Sequence, residues 1–281
     1  MLSIPYAPLS LEQEDVEYEH GPDSAARAGV APGQLVELRI DDPPSYPRTR
    51  RRVWLHVPAG LPQGRPLAAT LMLDGALYLD PAGPFRAGTV LDNLVAAGAL
   101  PPMVGIFVDP GVVPAAGGAA EHRNRNVEYD TPDSRFADFL ADHVLGLAGE
   151  HVRLSDDPRS RLACGGSSGG NGAFTAGWHR PDAFGRVISL GGSFAQIPGG
   201  NPYPRLIEST PRKPLRVLLT AAHRDLHWNE PEHNWFAENL LVAAALAKAG
   251  YDMRLVLREG GHSMTNGGAI LPDALRWAWA R

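Results

Sequence analysis

The stretch Arg161-Leu-Ala-Cys-Gly-Gly-Ser-Ser-Gly-Gly-Asn-Gly172 constrains this chain more than any other. A short apolar run enters a glycine cluster built around two adjacent serines, and an amphipathic segment follows. This is the layout of a nucleophile elbow, where a strained strand-to-helix turn holds a serine hydroxyl exposed at the top of a sheet. The G-x-S-x-G pattern fits in two frames. Gly165-Gly-Ser167-Ser-Gly169 puts the nucleophile at Ser167, and Gly166-Ser-Ser168-Gly-Gly170 puts it at Ser168. With 31 glycines and 26 prolines in the chain, glycine-rich matches arise readily by chance, so the surroundings must carry the reading.

Those surroundings alternate between two periods. Val36–Ile40 and Arg51–Val57 alternate apolar and polar residues, as half-buried antiparallel strands do. Leu67–Leu73 and Met103–Val108 are continuous apolar runs, expected of buried strands. Leu162–Cys164, Val187–Leu190, Leu215–Thr220 and Met253–Leu257 complete eight strand candidates. Between them, Thr89–Ala99, Ser134–Leu147, Gly170–His179, Glu232–Lys248 and Ala269–Ala280 have helical spacing, with Pro181 and Gly250 placed as stops. Such alternation predicts an α/β fold: a mostly parallel central sheet of about eight strands with helices on both faces. Residues 1–34 read as an irregular N-terminal extension packed on one domain, 35–281.

Composition narrows the function classes. The net charge is −5 and 20% of residues are charged, which excludes a strongly basic nucleic-acid surface. No apolar window is long enough to span a membrane. Met1 to His20 lacks a basic region followed by an apolar core, so no signal peptide is visible. The single cysteine, Cys164, excludes an intramolecular disulfide and is expected to be a small, buried, inert thiol. A cytoplasmic location fits best. The expected partner is a small-molecule substrate rather than a nucleic acid or a membrane, with a homo-oligomer left open.

A serine hydroxyl needs a base to take its proton, a group to orient that base, and donors for the oxyanion. On an open parallel sheet these belong at the carboxyl ends of the strands, in the order Ser, Asp or Glu, His. After Leu215–Thr220 comes Ala-Ala-His223-Arg-Asp225-Leu-His227, and after Met253–Leu257 comes Arg-Glu-Gly-Gly-His262. Asp225 and His262 are therefore the candidate acid and base, with Glu230, Glu232 and Glu259 as alternatives for the acid. The oxyanion donors should be the N–H after the nucleophile and one from Leu73-Asp74-Gly75-Ala76-Leu77-Tyr78, where Ala76 is chosen. His223-x-Asp225-x-His227, with His233 nearby, offers zinc-type donors, but the spacing matches no helical H-E-x-x-H motif. No metal and no cofactor is expected.

Gly166-Ser-Ser-Gly-Gly170 and Trp178-His-Arg-Pro-Asp-Ala-Phe-Gly-Arg-Val-Ile-Ser-Leu-Gly-Gly-Ser-Phe194 resemble the esterase D / enterochelin (enterobactin) esterase-like family of α/β-hydrolases. The likeness extends to Leu73-Asp-Gly-Ala-Leu-Tyr78, Arg125-Asn-Val-Glu-Tyr129, Gly260-Gly-His262 and the C-terminal Gly267–Trp279. It implies an α/β-hydrolase fold and a serine esterase (a carboxylic ester hydrolase). The family's Gly-x-Ser-x-Gly-Gly, laid on this chain, implies Ser167 as nucleophile and Ser168 as an oxyanion donor, with Asp225 and His262 completing the triad. The acid loop departs from the family, having alanine (Ala221 or Ala222) in place of glycine. Within the family, siderophore lactones, aryl esters and carbohydrate esters are all substrates. Acyl transfer, or binding without turnover, are the alternative activities. Tyr78, Arg125, Glu128 and Trp235 are the candidate substrate contacts, with Trp228 beside them.

Overall fold

The computed structural model describes Ser3, Pro8 and residues 16–117 and 120–280. Most of the expected extension before residue 16 lies outside them. Among the described residues, ten strands make one sheet. They are β1 (Gln34–Asp41), β2 (Arg50–Val57), β3 (Ala68–Leu73), β4 (Met103–Val108), β5 (Val112–Val113), β6 (His122–Arg123), β7 (Arg161–Gly166), β8 (Arg186–Leu190), β9 (Arg216–Ala222) and β10 (Asp252–Arg258). All eight expected strands are present; β5 and β6 are additional, and two residues are too few to carry a period. From β10 through β9, β8, β7 and β3 to β4 every pairing is parallel. The strands β2 and β1 then add antiparallel to the β4 edge.

Residue parity explains how the sheet is covered. Every residue of β3 and β4 is buried, as strands in the middle of a covered sheet must be. Successive side chains point to opposite faces. Leu71 and Leu73 join a cluster with Phe136, Phe139, Ala173 and Ala176, whereas Met72 joins one with Leu91, Leu94, Leu271 and Leu275. Each fully buried leucine or phenylalanine stabilises by roughly 1.5–3 kcal/mol.

The helices follow the same division. In chain order they are α1 (Gly75–Leu79), α2 (Ala87–Ala96), α3 (Arg125–Tyr129), α4 (Arg135–Asp138) and α5 (Leu145–Gly149), with a π-helical turn, Phe139–Val144, joining the last two. Then come α6 (Ser168–His179), α7 (Tyr203–Ser209), α8 (Trp235–Lys248) and α9 (Met264–Trp279). Helices α2 and α9 contribute Leu91, Leu94, Leu271 and Leu275 to one face. Helices α6 and α8 cover the other, where Phe174, Trp178, Val242 and Leu246 pack on Val217 and Leu219. Helix α9 starts five residues before the expected Ala269, at the Ser263 N-cap, whose hydroxyl accepts the Asn266 N–H; Gly267 and Gly268 lie within it against Phe85 and the Pro84 carbonyl, where a Cβ would collide.

Residues 16–34 lie along α2, α9 and the loop after β10. Asp23 accepts from Arg276 at 2.6 Å, and the Asn93 amide donates to the Asp23 and Ala25 carbonyls at 2.8 Å each. The Tyr18 hydroxyl donates to the Glu259 carbonyl at 3.1 Å and accepts from its N–H at 2.9 Å. No helix among the described residues is long and apolar enough to cross a membrane.

Candidate active site

Strand β7 ends at Gly166, α6 begins at Ser168, and Ser167 makes the whole turn between them. Its φ of 59° and ψ of −129° are a conformation that side-chain-bearing residues rarely adopt, with a strain of about 1–3 kcal/mol. Glycines make the turn passable. A Cβ on Gly165 would collide with the Gly169 backbone, and one on Gly170 would lie 2.8 Å from Ser189 Oγ. Two backbone bonds then hold the turn: Ser167 N donates to the Leu190 carbonyl at 3.0 Å, and Ser193 N donates to the Ser167 carbonyl at 3.1 Å.

The two serines have different surroundings. Ser167 is half-buried and lines a cleft together with His262, Tyr78 and Leu190. Ser168 is buried, and its hydroxyl donates to Asp130 Oδ2 at 2.8 Å, behind the turn. Asp130 is itself buried and also accepts from Ser193 Oγ at 2.5 Å, Asn126 Nδ2 at 2.8 Å and Asn171 Nδ2 at 3.2 Å. The Ser168 N–H stands at the N-terminus of α6, where a helix leaves its first N–H groups without internal acceptors and favours negative charge.

Asp225 and His262 follow the carboxyl ends of β9 and β10, on the same sheet edge as Ser167. His262 Nδ1 and Asp225 Oδ1 are 2.7 Å apart. Asp225 is fully buried, and Oδ1 also accepts the Leu226 N–H at 2.9 Å. His262 lines the cleft with Ser167. The alternative acids lie elsewhere: Glu230 pairs with His227 at 3.1 Å, Glu259 faces His223 at 3.4 Å, and Glu232 is exposed. His223 and His227 thus each have a glutamate partner of their own, and no three His, Cys, Asp or Glu side chains converge on one point among the described residues.

Three of the expected contacts are placed differently. The Ala76 N–H donates to Asp109 Oδ1 at 2.9 Å, a carboxylate that Arg52 also holds at 3.0 Å, so it is not free for an oxyanion. The cause is Asp74, whose left-handed φ of 59° turns α1 so that Leu77 and Tyr78, rather than Ala76, line the cleft. Glu128 is not a cleft residue: it is a fully buried partner of Arg51, with two contacts of 2.7 and 2.9 Å. Trp235 is also buried and does not line the cleft; it packs edge-on against His262, with ring centroids 4.8 Å apart.

Tyr78 and Arg125 do line the cleft. The Tyr78 ring stacks on Phe85 at 3.8 Å, and burial pushes its hydroxyl pKa well above the ordinary value. Burial disfavours the Arg125 charge, but two contacts of 2.8 Å to Asp74 more than compensate, and its pKa rises. Burial raises the Cys164 thiol to about 12, as befits an inert core residue. Leu77, Phe85, Leu190 and Met264 supply apolar wall. Sequence reasoning missed two charged residues near the turn: Asp130, and Arg258, which lines the cleft from the end of β10. Burial lowers the Arg258 pKa against the opposing pull of Asp225 and Tyr18. Its signal was available, as a cation at a strand's carboxyl end, just before Gly260-Gly-His262.

Known proteins share this architecture. The chain is 33% identical over 190 residues to the iron(III) enterobactin esterase of Dickeya dadantii (strain 3937), covering 61% of this chain and 40% of that protein. The ferric enterobactin esterase structure from Salmonella typhimurium superposes with a TM-score of 0.72 at 21% identity, covering 96% of this chain and 63% of that one. A ferulic acid esterase structure gives a TM-score of 0.68 at 17% identity, covering 88% and 98%. The chain therefore spans less than two thirds of the length of these enterobactin esterases, 40% of one and 63% of the other. The structural likeness is one of fold, that of the α/β-hydrolases. Residues 45–276 match the model of the family described as "Putative esterase", and the chain belongs to that esterase family.

Proposed function

We propose that this chain is a serine ester hydrolase working through an acyl-enzyme on Ser167. The observation that supports it is the 2.7 Å Asp225–His262 contact beside the same cleft as the strained Ser167. In this reading His262 takes the Ser167 proton as the hydroxyl attacks the ester carbonyl. Asp225 fixes the imidazole tautomer and stabilises the imidazolium that forms. The Ser168 N–H binds the developing oxyanion, and His262 returns the proton to the leaving alcohol. Water then attacks the acyl-enzyme by the same route.

The apolar walls favour a bulky or aryl-bearing ester, and relatives named for enterobactin and ferulic acid esters support that choice. Met264 of those walls is exposed, as is Val127 on α3, the helix that carries Arg125. The same reading takes 35–281 as one domain, acting in the cytoplasm.

An aryl-ester assay on Ser167→Ala and Ser168→Ala tests the assignment. Ser167→Ala should lose about 10⁴-fold or more in kcat. Ser168→Ala keeps its N–H and should lose less than about tenfold. Full activity in Ser167→Ala would sink the mechanism. A fluorophosphonate probe that fails to label the folded protein would instead indicate binding without turnover.

A further inference from the structure

Arg258 is only 5% exposed, yet it lines the cleft that holds Ser167 and His262. A guanidinium carries five N–H donors and no acceptor. Here Nη1 reaches the Ser263 carbonyl at a long 3.4 Å, and Nε has no partner. No carboxylate forms an ion pair with Arg258 among the described residues. Asp225 is the acid that faces it, across Gly191: a Cβ on Gly191 would lie 3.0 Å from Arg258 Nη2 and 3.5 Å from Asp225 Oδ2. But Asp225 spends Oδ1 on His262 and Leu226, and its Oδ2 accepts no hydrogen bond. The other charged pair on the cleft wall, Arg125 and Asp74, is mutually satisfied by two 2.8 Å contacts. Nature rarely leaves a buried guanidinium with its donors unmet, because removing it from water without compensation is costly. A ligand that brings its own acceptors resolves the deficit.

We propose that Arg258 selects esters carrying a carboxylate within a few bonds of the scissile carbonyl, which it binds through its unused N–H donors. This rests on the serine-esterase reading of the cleft and narrows its substrate class to acidic esters. The planar fork suits a carboxylate in two parallel N–H···O bonds. Lysine would offer the charge without the fork.

The test compares matched ester pairs. In one arm, mono-4-nitrophenyl glutarate is set against 4-nitrophenyl pentanoate, with the charge on the acyl side. In the other, 4-acetoxybenzoate is set against 4-acetoxybenzamide, with the charge on the alcohol side. The wild type should favour the anionic member of at least one pair by roughly ten- to a hundredfold in kcat/KM. Arg258→Gln should abolish that ratio, and Arg258→Lys should restore part of it. No preference for the anionic member of either pair in the wild type, or a preference that survives Arg258→Gln, would overturn the proposal while leaving the esterase reading intact. Hydrolysis of no ester at all would overturn both. If Arg258→Gln does not fold, the wild type still decides the matter. Benzoate should slow fluorophosphonate labelling of Ser167 at lower concentration than benzamide, and equal protection would count against the proposal.

Discussion

Arg51 and Arg258 are both guanidiniums removed from water, one on β2 beside the antiparallel strands and the other at the end of β10, on the opposite side of the sheet. Their surroundings differ in completeness. The Nε of each is buried without a partner, so the contrast lies at the fork: Arg51 gives two bonds to Glu128 and one, at 3.3 Å, to Thr49, and lies 4.2 Å over the Phe139 ring. Glu128 in turn accepts from Gly111 N and Asn124 Nδ2, both at 3.1 Å. Arg258 has one long bond, beside a carboxylate with a vacant oxygen. Burial alone does not separate a structural charge from a functional one; satisfaction does. The closed network ties α3, and with it Arg125, to β2 at the cleft wall. The open one is where a substrate can make bonds the protein does not.

The strongest way to break this comparison is Asp225→Asn. The amide would hold the imidazole in the wrong tautomer, so kcat on an aryl ester should fall about 10⁴-fold. The fold should survive, because the lost bond is one to His262, a half-buried neighbour. A calorimetric midpoint that falls steeply instead, with turnover retained, would make the region structural.

Glu128→Ala probes the closed side and should do the converse. It would leave Arg51 buried and unpaired, a loss of about 3–5 kcal/mol in stability. Denaturant titration measures it, and turnover per folded molecule should change far less than stability. A loss below about 1 kcal/mol would show that Arg51 finds other partners, and the contrast with Arg258 would fail.

Glu128 also marks where the sequence stops being legible. It sits in Arg125-Asn-Val-Glu-Tyr129, where the sequence offers it as a candidate substrate contact. Its partner lies on a strand 77 residues away, and no local pattern reveals such a pairing. Trp235 failed in the same way, because a tryptophan at a helix start says nothing of the histidine it packs on. Ala76 failed for a backbone reason: the left-handed Asp74 is a tertiary outcome, and it sends the following N–H toward Asp109. The strands were far more legible. Met103–Val108 was read with its observed ends, because an apolar run bounded by prolines needs no tertiary information. The short helices α1, α3 and α7 were missed, since five to seven residues do not establish a helical period. The residues expected at strand ends were legible because sheet topology alone brings the ends of β7, β9 and β10 to one edge.

Asp130 is a third buried charge and a milder test. Its carboxylate accepts four side-chain donors and forms no ion pair among the described residues, with Arg125 close enough to interact only through its field. Asp130→Asn would set an amide NH₂ against some of those donors, and hydroxyl rotation at Ser168 and Ser193 would recover part of the loss. The expected change is about 1–3 kcal/mol in stability. Since Ser168 follows the nucleophile, kcat should fall with little change in KM. A fall confined to KM would mean that the network touches substrate.

The smallest effect is expected at Trp235, and it sharpens the comparison most finely. Its indole Nε1 is buried without a partner, so by satisfaction alone it resembles Arg258. Unlike Arg258, it does not line the cleft, and its ring meets His262 edge-on at an interplanar angle of 79°. An unmet donor should signal a ligand contact only where a ligand can reach it. Trp235→Phe keeps an aromatic edge against the imidazole and removes the N–H. Such pairs contribute about 0.5–1.5 kcal/mol, so kcat should drop less than about tenfold, with KM and the acidic-ester preference unchanged. A shift in that preference would mean that the indole N–H reaches the substrate. Access to the cleft would then no longer distinguish the donors that matter, and Arg258 would be one of two cleft donors rather than the residue that sets the charge selectivity.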